Sequence, residues 1–381
     1  MLRKILTFFQ KETVLSISAI LAILSMFIVH PSGKYFSYID FRALSLLFCL
    51  MSIVAGLSEI GLFDYLAEKI LCRANSIKSI IVLLVLLCFF FSMIITNDVT
   101  LITFVPLAII ILKKMSEKQK NYWILRTVVM QTIAANLGSM LTPIGNPQNL
   151  YLYARANMSA LALIRLMLPY SIAALVLLLV WIQIAAHREP GSTTENHISE
   201  LFSIHKTKAP NQTSLIGYLI LFLICLLVVA HIIDYRISFI LVIGYIFFKN
   251  WHLFKKVDYS LLLTFTALFI FIGNLKCIPQ FNHFLISIID GHETLTAILS
   301  SQIISNVPAA ILLSGFTKNY SALIIGTNIG GLGTLIASMA SLISFKYIAK
   351  EKTTLRGKYF MMFTIANIVF LILLLLCINL L

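Results

Sequence analysis

The sequence predicts an all-α polytopic membrane protein built from two inverted-topology repeats, with two re-entrant hairpins, two broken transmembrane helices and about nine full spans. Hydrophobic residues make up 60% of the 381 positions and charged residues 12%. Soluble domains are only about 45–50% apolar, so most of this chain must lie in lipid. Several apolar runs approach the roughly 20 residues that a bilayer span needs. Polar and proline-containing motifs interrupt these runs in the same order in both halves, which predicts the repeat.

Residues 1–186 form the first predicted repeat. Two apolar runs at 79–112 have lysine and arginine clusters at both outer ends, which predicts a hairpin that enters from the cytoplasm and returns there. The next segment, 123–157, is predicted to be one helix that Pro143 and Pro147 break in its middle. The uninterrupted spans of this repeat are predicted at 14–29, 43–57 and 162–186.

Residues 187–214 form one long polar stretch, which is assigned to a cytoplasmic linker. A linking span at 215–233 follows and reverses the orientation of everything after it. The second repeat, 237–381, is therefore inverted: its hairpin at 294–316 enters from outside, and its broken helix lies at 321–345. The uninterrupted spans of this repeat are predicted at 237–248, 259–275 and 359–381.

Positive charge sets the orientation. The net charge of +14 comes from lysines and arginines between the apolar runs, and most of them fall on one side of the predicted topology. By the positive-inside rule that side is the cytoplasm of a bacterial inner membrane, with the N-terminus cytoplasmic and the C-terminus external. Because topology accounts for the charge, no nucleic-acid partner is expected.

Residue patterns argue against several classes of function. The six cysteines show no CxxC spacing, and the histidines form no ligand cluster, which argues against a metal centre. No nucleophile–base constellation or phosphate-binding loop is evident. We therefore expect neither an enzyme nor a resident cofactor.

A short motif recurs in the two hairpins. Ile-Ile-Thr-Asn at 94–97 reappears as Ile-Ile-Ser-Asn at 303–306. Downstream, 136–146 aligns without gaps with 328–338. Small-residue motifs also mediate helix packing, but packing alone does not explain prolines and polar side chains at the breaks. The inverted repeat favours an alternating-access transporter.

Irregular backbone within a membrane is tolerated only where protein or a water-filled cavity satisfies it. The irregular stretches at 96–100, 142–149, 305–308 and 326–334 are therefore expected to face one shared cavity. Broken helices offer free amides and positive dipole ends to an anion, and freed carbonyls and side-chain oxygens to a cation. The candidate substrate and ion ligands are Thr96, Asn97, Asp98, Thr100, Thr142, Gly145, Asn146, Asn149, Ser305, Asn306, Thr327, Asn328, Gly331 and Thr334.

Asp98 is the acid placed at the centre of such a stretch. A charge at membrane depth is costly and is by default a functional hypothesis, so Asp98 is expected to ligate Na⁺ or to carry a proton. The alternative is a helix N-cap, in which its carboxylate accepts from amides of the helix that begins near Val99.

Four motifs, in this order, resemble the ion transporter superfamily. They are Thr-Asn-Asp at 96–98 with Phe-Val-Pro-Leu at 104–107, Leu-Thr-Pro-Ile-Gly-Asn-Pro-Gln-Asn at 141–149, Ser-Asn-Val-Pro at 305–308, and Gly-Thr-Asn-Ile-Gly-Gly at 326–331. The resemblance covers nearly the whole chain. It is closest to the small bacterial anion permeases with the citrate transporter-like domain, within a group that includes arsenite permeases, dicarboxylate–sodium symporters and sodium–proton antiporters.

The resemblance implies a scaffold part and a moving transport part, often in a homodimer, with substrate and cations held at the hairpin tips and unwound helices. Carried over by position, the Na⁺ sites fall at Asn97 with Gly145 and at Asn306 with Gly331. Both tips of the dicarboxylate symporters read Ser-Asn-Thr. Here an acid follows the first asparagine and Val307 follows the second, a change that the arsenite-type and antiporter branches tolerate.

The leading expectation is a secondary active transporter of a small anion, either a carboxylate such as citrate or an oxyanion, coupled to Na⁺ or H⁺. The alternatives are a Na⁺/H⁺ antiporter centred on Asp98, an arsenite-type efflux permease, and a non-transporting membrane receptor or assembly scaffold. The expected partners are a small-molecule or ion substrate, the lipid bilayer and a second copy of the chain.

Overall fold

The structure, a computed structural model, describes residues 12–189, 209–351 and 355–380. The first basic residues and most of the predicted linker at 187–214 lie outside the described residues. The helices of the first half are α1 Thr13–Met26, α2 Tyr35–Tyr38, α3 Phe41–Glu59, α4 Leu62–Leu71, α5 Ile77–Ile95, α6 Asn97–Lys113, α7 Glu117–Ser139, α8 Pro147–Ala156 and α9 Ala160–His187.

The second half repeats this order after one extra helix. Its helices are α10 Gln212–Val229, α11 Tyr235–Asn250, which continues as a 3-10 helix over Trp251–Lys256, α12 Tyr259–Lys276, α13 Pro279–Ile289, α14 Glu293–Ile304, α15 Asn306–Leu313, α16 Tyr320–Ile329, α17 Met339–Glu351 and α18 Arg356–Leu380.

Both predicted hairpins and both predicted breaks are present. The arms of the first hairpin, α5 and α6, are separated by one residue, Thr96, and those of the second, α14 and α15, by Ser305. The first broken helix is unwound between α7 and α8, over 140–146, and the second between α16 and α17, over 330–338. Side-chain caps start many of the regular helices: the carboxylate of Asp40 accepts from the N–H of Ala43, for example, at the start of α3.

Within the described residues, seven helices are long and apolar enough to span a bilayer: Phe41–Glu59, Ile77–Ile95, Ala160–His187, Gln212–Val229, Tyr235–Lys256, Tyr259–Lys276 and Arg356–Cys377. Six of them correspond to predicted full spans, and the seventh is α5, the first hairpin arm. The span predicted at 237–248 is longer than its apolar run, because the 3-10 helix extends it. The all-α polytopic membrane fold is confirmed.

The two halves exchange elements. Helix α1 packs against α12 of the second half, and α11 packs against α3 of the first. After each break the chain likewise crosses over: α8 packs on α15 and α16, whereas α17 packs on α6 and α7. Reciprocal exchange of this kind is what a two-fold axis between the repeats produces.

Contacts between helix ends show which of them lie together at each end of the bundle. At one end, Lys113 forms an ion pair with Glu351, and the hydroxyl of Tyr122 donates to the carbonyl of Ala185 at 2.7 Å. These contacts bring together the C-terminal ends of α6, α9 and α17 and the N-terminal end of α7, which carry many of the lysines and arginines. At the opposite end, a guanidinium nitrogen of Arg42 donates to the carbonyl of Val228 at 2.9 Å. The grouping agrees with the arrangement that the positive-inside rule requires.

Candidate substrate and ion site

The two hairpin tips share one unusual backbone conformation. Thr96 has φ 70° and ψ 154°, and Ser305 has φ 73° and ψ 154°. Side chains rarely adopt this region, and holding a residue there costs about 1–3 kcal/mol. A β-branched threonine is an especially poor fit. Because both tips carry the same strain, the repeat extends to the backbone itself.

Each tip is fastened to the unwound segment beside it. The N–H of Asn97 donates to the carbonyl of Gly145 at 3.1 Å, and the N–H of Asn306 donates to the carbonyl of Ala337 at 3.0 Å. Gly145 and Ala337 are paired in the gap-free alignment of 136–146 with 328–338, so the structure brings together the equivalent positions. The predicted pair of Asn97 with Gly145 is in direct contact.

The side chains of the two tip asparagines also match. The Oδ1 of Asn97 accepts from the N–H of Asp98 at 3.0 Å, and that of Asn306 accepts from the N–H of Val307 at 2.9 Å. Asn306 further lies against Gly331, where an added methyl group would come within 3.0 Å of its Nδ2. The residues predicted for each cation site are thus neighbours, although the two asparagines form no hydrogen bond with each other within the described chain.

The broken helices brace each other across the repeats. The Nδ2 of Asn146 donates to the Oδ1 of Asn328 at 2.9 Å. In the reciprocal position, the hydroxyl of Ser338 donates to the Oδ1 of Asn136 at 3.0 Å. The alignment pairs Asn146 with Ser338 and Asn136 with Asn328, so these are one contact seen twice.

A second pair of contacts also joins equivalent positions of the two repeats, and it involves residues three positions further along the chain. The Nδ2 of Asn328 donates to the Oδ1 of Asn149 at 2.5 Å, and the Nδ2 of Asn136 donates to the hydroxyl of Ser341 at 3.5 Å. The Nδ2 of Asn97 joins the first tip to this set by donating to the Oδ1 of Asn136 at 3.2 Å. We call this set the asparagine network; its members are Asn97, Asn136, Asn146, Asn149, Asn328, Ser338 and Ser341.

The asparagine network is closed off from the outside. All five of its asparagines are 5% exposed or less. Buried amides are costly unless they are hydrogen-bonded, and here each asparagine of the network has a partner within it.

Four helix N-termini meet at the asparagine network and the tips. The helices α6 and α15 begin at the tips, and α8 and α17 begin where the unwound segments end. Each N-terminus carries a partial positive charge, although most of its first N–H groups already have acceptors, such as the Oδ1 of Asn146 for the N–H of Asn149. In the described part of the chain, the N–H of Val99 has no hydrogen-bond acceptor, whereas its counterpart in α15 is Pro308. Together these dipoles suit an anion.

Asp98 lies in the first turn of α6 and is partly exposed. Among the described residues, none donates a hydrogen bond to its carboxylate, so the N-cap alternative is not what the structure shows. Its counterpart in the second tip is Val307, which is buried. Of the two tips, only the first therefore carries an acidic side chain.

The hydroxyl groups of several predicted ligands donate to backbone carbonyls. Thr100 donates to the carbonyl of Thr96 and Thr327 to that of Leu323, both at 2.7 Å. Thr142 donates to the carbonyl of Met93 at 2.5 Å. These hydroxyls position the tips and helices.

Thr334 is exposed and is held by Gln302, a residue that sequence reasoning missed. The side chain of Gln302 donates to the carbonyls of Gly330 and Leu332, both at 2.9 Å, and accepts from the N–H of Thr334 at 3.0 Å. Its counterpart in the first hairpin is Met93, so only the second unwound segment has this clamp.

Asn136, Ser338 and Ser341 were also missed as site residues. The alignment of 136–146 with 328–338 contained the signal for two of them, since Asn136 stands opposite Asn328 and Ser338 opposite Asn146. No local pattern marked Ser341 or Gln302, because their partners are distant in sequence.

Comparisons with known proteins agree with this architecture. A family described as "Citrate transporter" matches residues 5–319. An uncharacterized transporter of Methanocaldococcus jannaschii is 34% identical over 332 residues, which are 87% of each chain. The inner membrane protein YbiR of Escherichia coli is 31% identical over 332 residues, covering 85% of this chain and 84% of YbiR. The human P protein is 30% identical over 128 residues, which are 33% of this chain and 15% of that protein.

Proposed function

This chain belongs to the citrate transporter family, and on that premise we propose that it is a secondary active transporter that moves a small anion together with Na⁺ or H⁺. The observation that carries the proposal is the meeting of four helix N-termini at a buried asparagine network. The positive N-terminal ends of these helices attract an anion.

The proposed substrate is a small carboxylate such as citrate, or an oxyanion. Its oxygens would accept a hydrogen bond from the N–H of Val99 and lie against the N-terminal ends of α6 and α15, because both amide hydrogens of Asn146 and of Asn328 already have acceptors. These groups are neutral, so a coupling cation has to balance the charge of the anion in a medium of low dielectric constant.

The proposed coupling site lies at the first tip. The side-chain oxygen of Asn97, the carbonyl of Gly145 and the carboxylate of Asp98 are hard oxygen donors of the kind that Na⁺ prefers. If the coupling ion is H⁺, Asp98 is its carrier. We further propose that the basic end of the bundle faces the cytoplasm of an inner membrane, with the N-terminus inside and the C-terminus outside.

A Na⁺/H⁺ antiporter is the second candidate, and one observation favours it. Asp98 stands at a tip with no hydrogen-bond donor to its carboxylate among the described residues, as an exchanging proton and cation site requires. In that case the ion movements would need no organic anion.

Transport by purified protein in proteoliposomes separates these candidates. Uptake of labelled citrate, smaller carboxylates and arsenite would be measured under imposed Na⁺ or pH gradients, and pH changes inside the vesicles would be followed without any anion. An anion whose uptake follows one gradient supports the symporter. Na⁺-driven proton release without an anion supports the antiporter, and no flux in either assay contradicts both.

Variants test the residues. Asn97→Ala and Asn306→Ala are expected to reduce uptake at least tenfold, whereas Asn367→Ala, a buried asparagine in α18, is the matched control and should retain uptake. Asp98→Asn is expected to remove the dependence on the coupling gradient. Full uptake with Asn97→Ala and Asn306→Ala would rule out the two-tip site, and an unchanged ion dependence would rule out the role of Asp98.

A further inference from the structure

A long groove runs along the outside of the bundle between α9 and α18, and the first turns of α7 close one end of it. Its volume is about 740 Å³. Leu177 and Trp181 of α9 and Ile365 and Phe370 of α18 line its length. Because these lining residues are apolar, the groove is suited to a hydrocarbon chain.

The closed end of the groove carries two cations. Arg126 of α7 and Lys358 of α18 both line it, and none of the lining residues is acidic. This is the basic end of the bundle, where α6 and α17 are joined by an ion pair. The groove therefore has a positive head and an apolar body.

Contacts with Tyr122 fix the side chain of Arg126 in one conformation. Its guanidinium carbon lies 3.8 Å from the centre of the Tyr122 ring, and its Nη1 donates to the carbonyl of Tyr122 at 2.7 Å. The hydroxyl of Tyr122 in turn donates to the carbonyl of Ala185 on α9. Stacking on an aromatic ring fixes the planar guanidinium, and its remaining N–H groups have no partner among the described residues. Snorkelling of a flexible basic side chain does not explain such a fixed position.

The groove is about as long as one leaflet of the bilayer is thick. Lys358 and Leu373 both line it and lie 15 residues apart on α18, which is roughly 22 Å at 1.5 Å per residue. One leaflet with its headgroup region is about 20–22 Å thick, so the groove runs from the headgroup level to the midplane.

We propose that this groove binds an anionic phospholipid, with its phosphate between Arg126 and Lys358 and an acyl chain along α9 and α18. Basic pockets between transmembrane helices on the cytoplasmic side recognise anionic headgroups. A zwitterionic lipid is disfavoured because its ammonium group would approach the same two cations. The lipid joins α7, α9 and α18 at a place distinct from the asparagine network.

Trp181 provides the readout, since it lines the groove. The purified full-length protein would be reconstituted in vesicles that contain brominated phosphatidylglycerol or brominated phosphatidylcholine of equal acyl length. Bromine quenches nearby tryptophans, and subtracting the spectrum of Trp181→Phe isolates the signal of Trp181. We expect stronger quenching by phosphatidylglycerol, with a preference of roughly tenfold or more from two basic side chains.

Charge variants decide whether the preference comes from this site. The double variant Arg126→Gln and Lys358→Gln is expected to lose the preference, and Arg126→Lys should keep part of it. Lys346→Gln with Lys350→Gln, on α17 at the same end but outside the groove, is the matched control and should keep it in full.

Three results would overturn the proposal. They are equal quenching by the two lipids, a preference that survives in the Arg126 and Lys358 double variant, and shielding of Trp181 from both lipids because a second copy of the chain covers the groove, as seen by cross-linking of Trp181→Cys. None of these measurements uses transport, so they are independent of the proposed function.

Discussion

Replacing Thr96 by glycine is expected to leave a more stable protein than replacing it by alanine. Both substitutions remove the hydroxyl and the branch at Cβ, so they differ only in what the backbone tolerates. At φ 70° and ψ 154°, backbone strain still destabilises the folded alanine variant by about 1–3 kcal/mol, whereas glycine adopts this conformation without strain. Glycine also loses about 0.5–1 kcal/mol through its extra freedom in the unfolded chain. The net difference is about 1 kcal/mol in favour of glycine, or roughly fivefold in the unfolding equilibrium.

The assay is reversible unfolding of the purified variants in mixed micelles by a denaturing detergent, followed by tryptophan fluorescence. Thr103, on the regular part of α6, is the matched control, and its hydroxyl also donates to a backbone carbonyl, that of Val99. There glycine should be less stable than alanine by about 1 kcal/mol, the opposite sign. If the glycine variant at Thr96 is the weaker one by as much as at Thr103, the tip is not strained. Ser305 should behave like Thr96.

Three further experiments test the packing of the repeats. In a double-mutant cycle, Asn146→Ala and Asn328→Ala should show a coupling energy of about 0.5–3 kcal/mol in the same unfolding assay, and additive effects would contradict the cross-brace. Gln302→Met, which copies the first hairpin, should cost about 1–3 kcal/mol because two backbone carbonyls lose their donor, and an unchanged stability would refute the clamp. Gly138→Ala should prevent normal folding, measured as monodisperse yield, because its methyl would lie 2.1 Å from a carbonyl oxygen, whereas Gly244→Ala, with open space, should express normally.

The architecture was predictable because membrane insertion imposes simple rules. Apolar length gave the spans, charge grouped the ends, and proline with glycine and asparagine marked the breaks. The motif shared by Asn97 and Asn306 located both tips to the residue. Two helices escaped these rules: α1, predicted as a span at 14–29, is a shorter helix of 14 residues, and the run at 237–248 is apolar only in part of its span, the rest being a 3-10 helix with Trp251 and two lysines.

Hydrogen-bond partners could not be predicted because they join residues far apart in the chain. Asn146 and Asn328 are 182 positions apart, and each was identified only as a polar residue at a break. Their pairing depends on α8 and α17 crossing into the opposite repeat, which no local pattern expresses. Gln302 was missed for a related reason: a lone glutamine in an apolar arm acquires meaning only when Gly330 and Leu332 are seen to present their carbonyls to it.

The exchange of α8 and α17 limits how this transporter can move. Any motion that separates the two repeats breaks the bonds of Asn146 with Asn328 and of Ser338 with Asn136, and leaves buried amides unsatisfied at about 1–3 kcal/mol each. The interface of this body with the remaining helices is more apolar, although the hydroxyl of Tyr153 of α8 donates there to the carbonyl of Val229 of α10 at 2.9 Å. There Tyr151 of α8 packs against the rings of Phe265 and Phe269 of α12, and apolar contacts of this type can be exchanged for others at small cost. The hairpins and broken helices are therefore expected to move together, as one body, against α1–α4 and α10–α13.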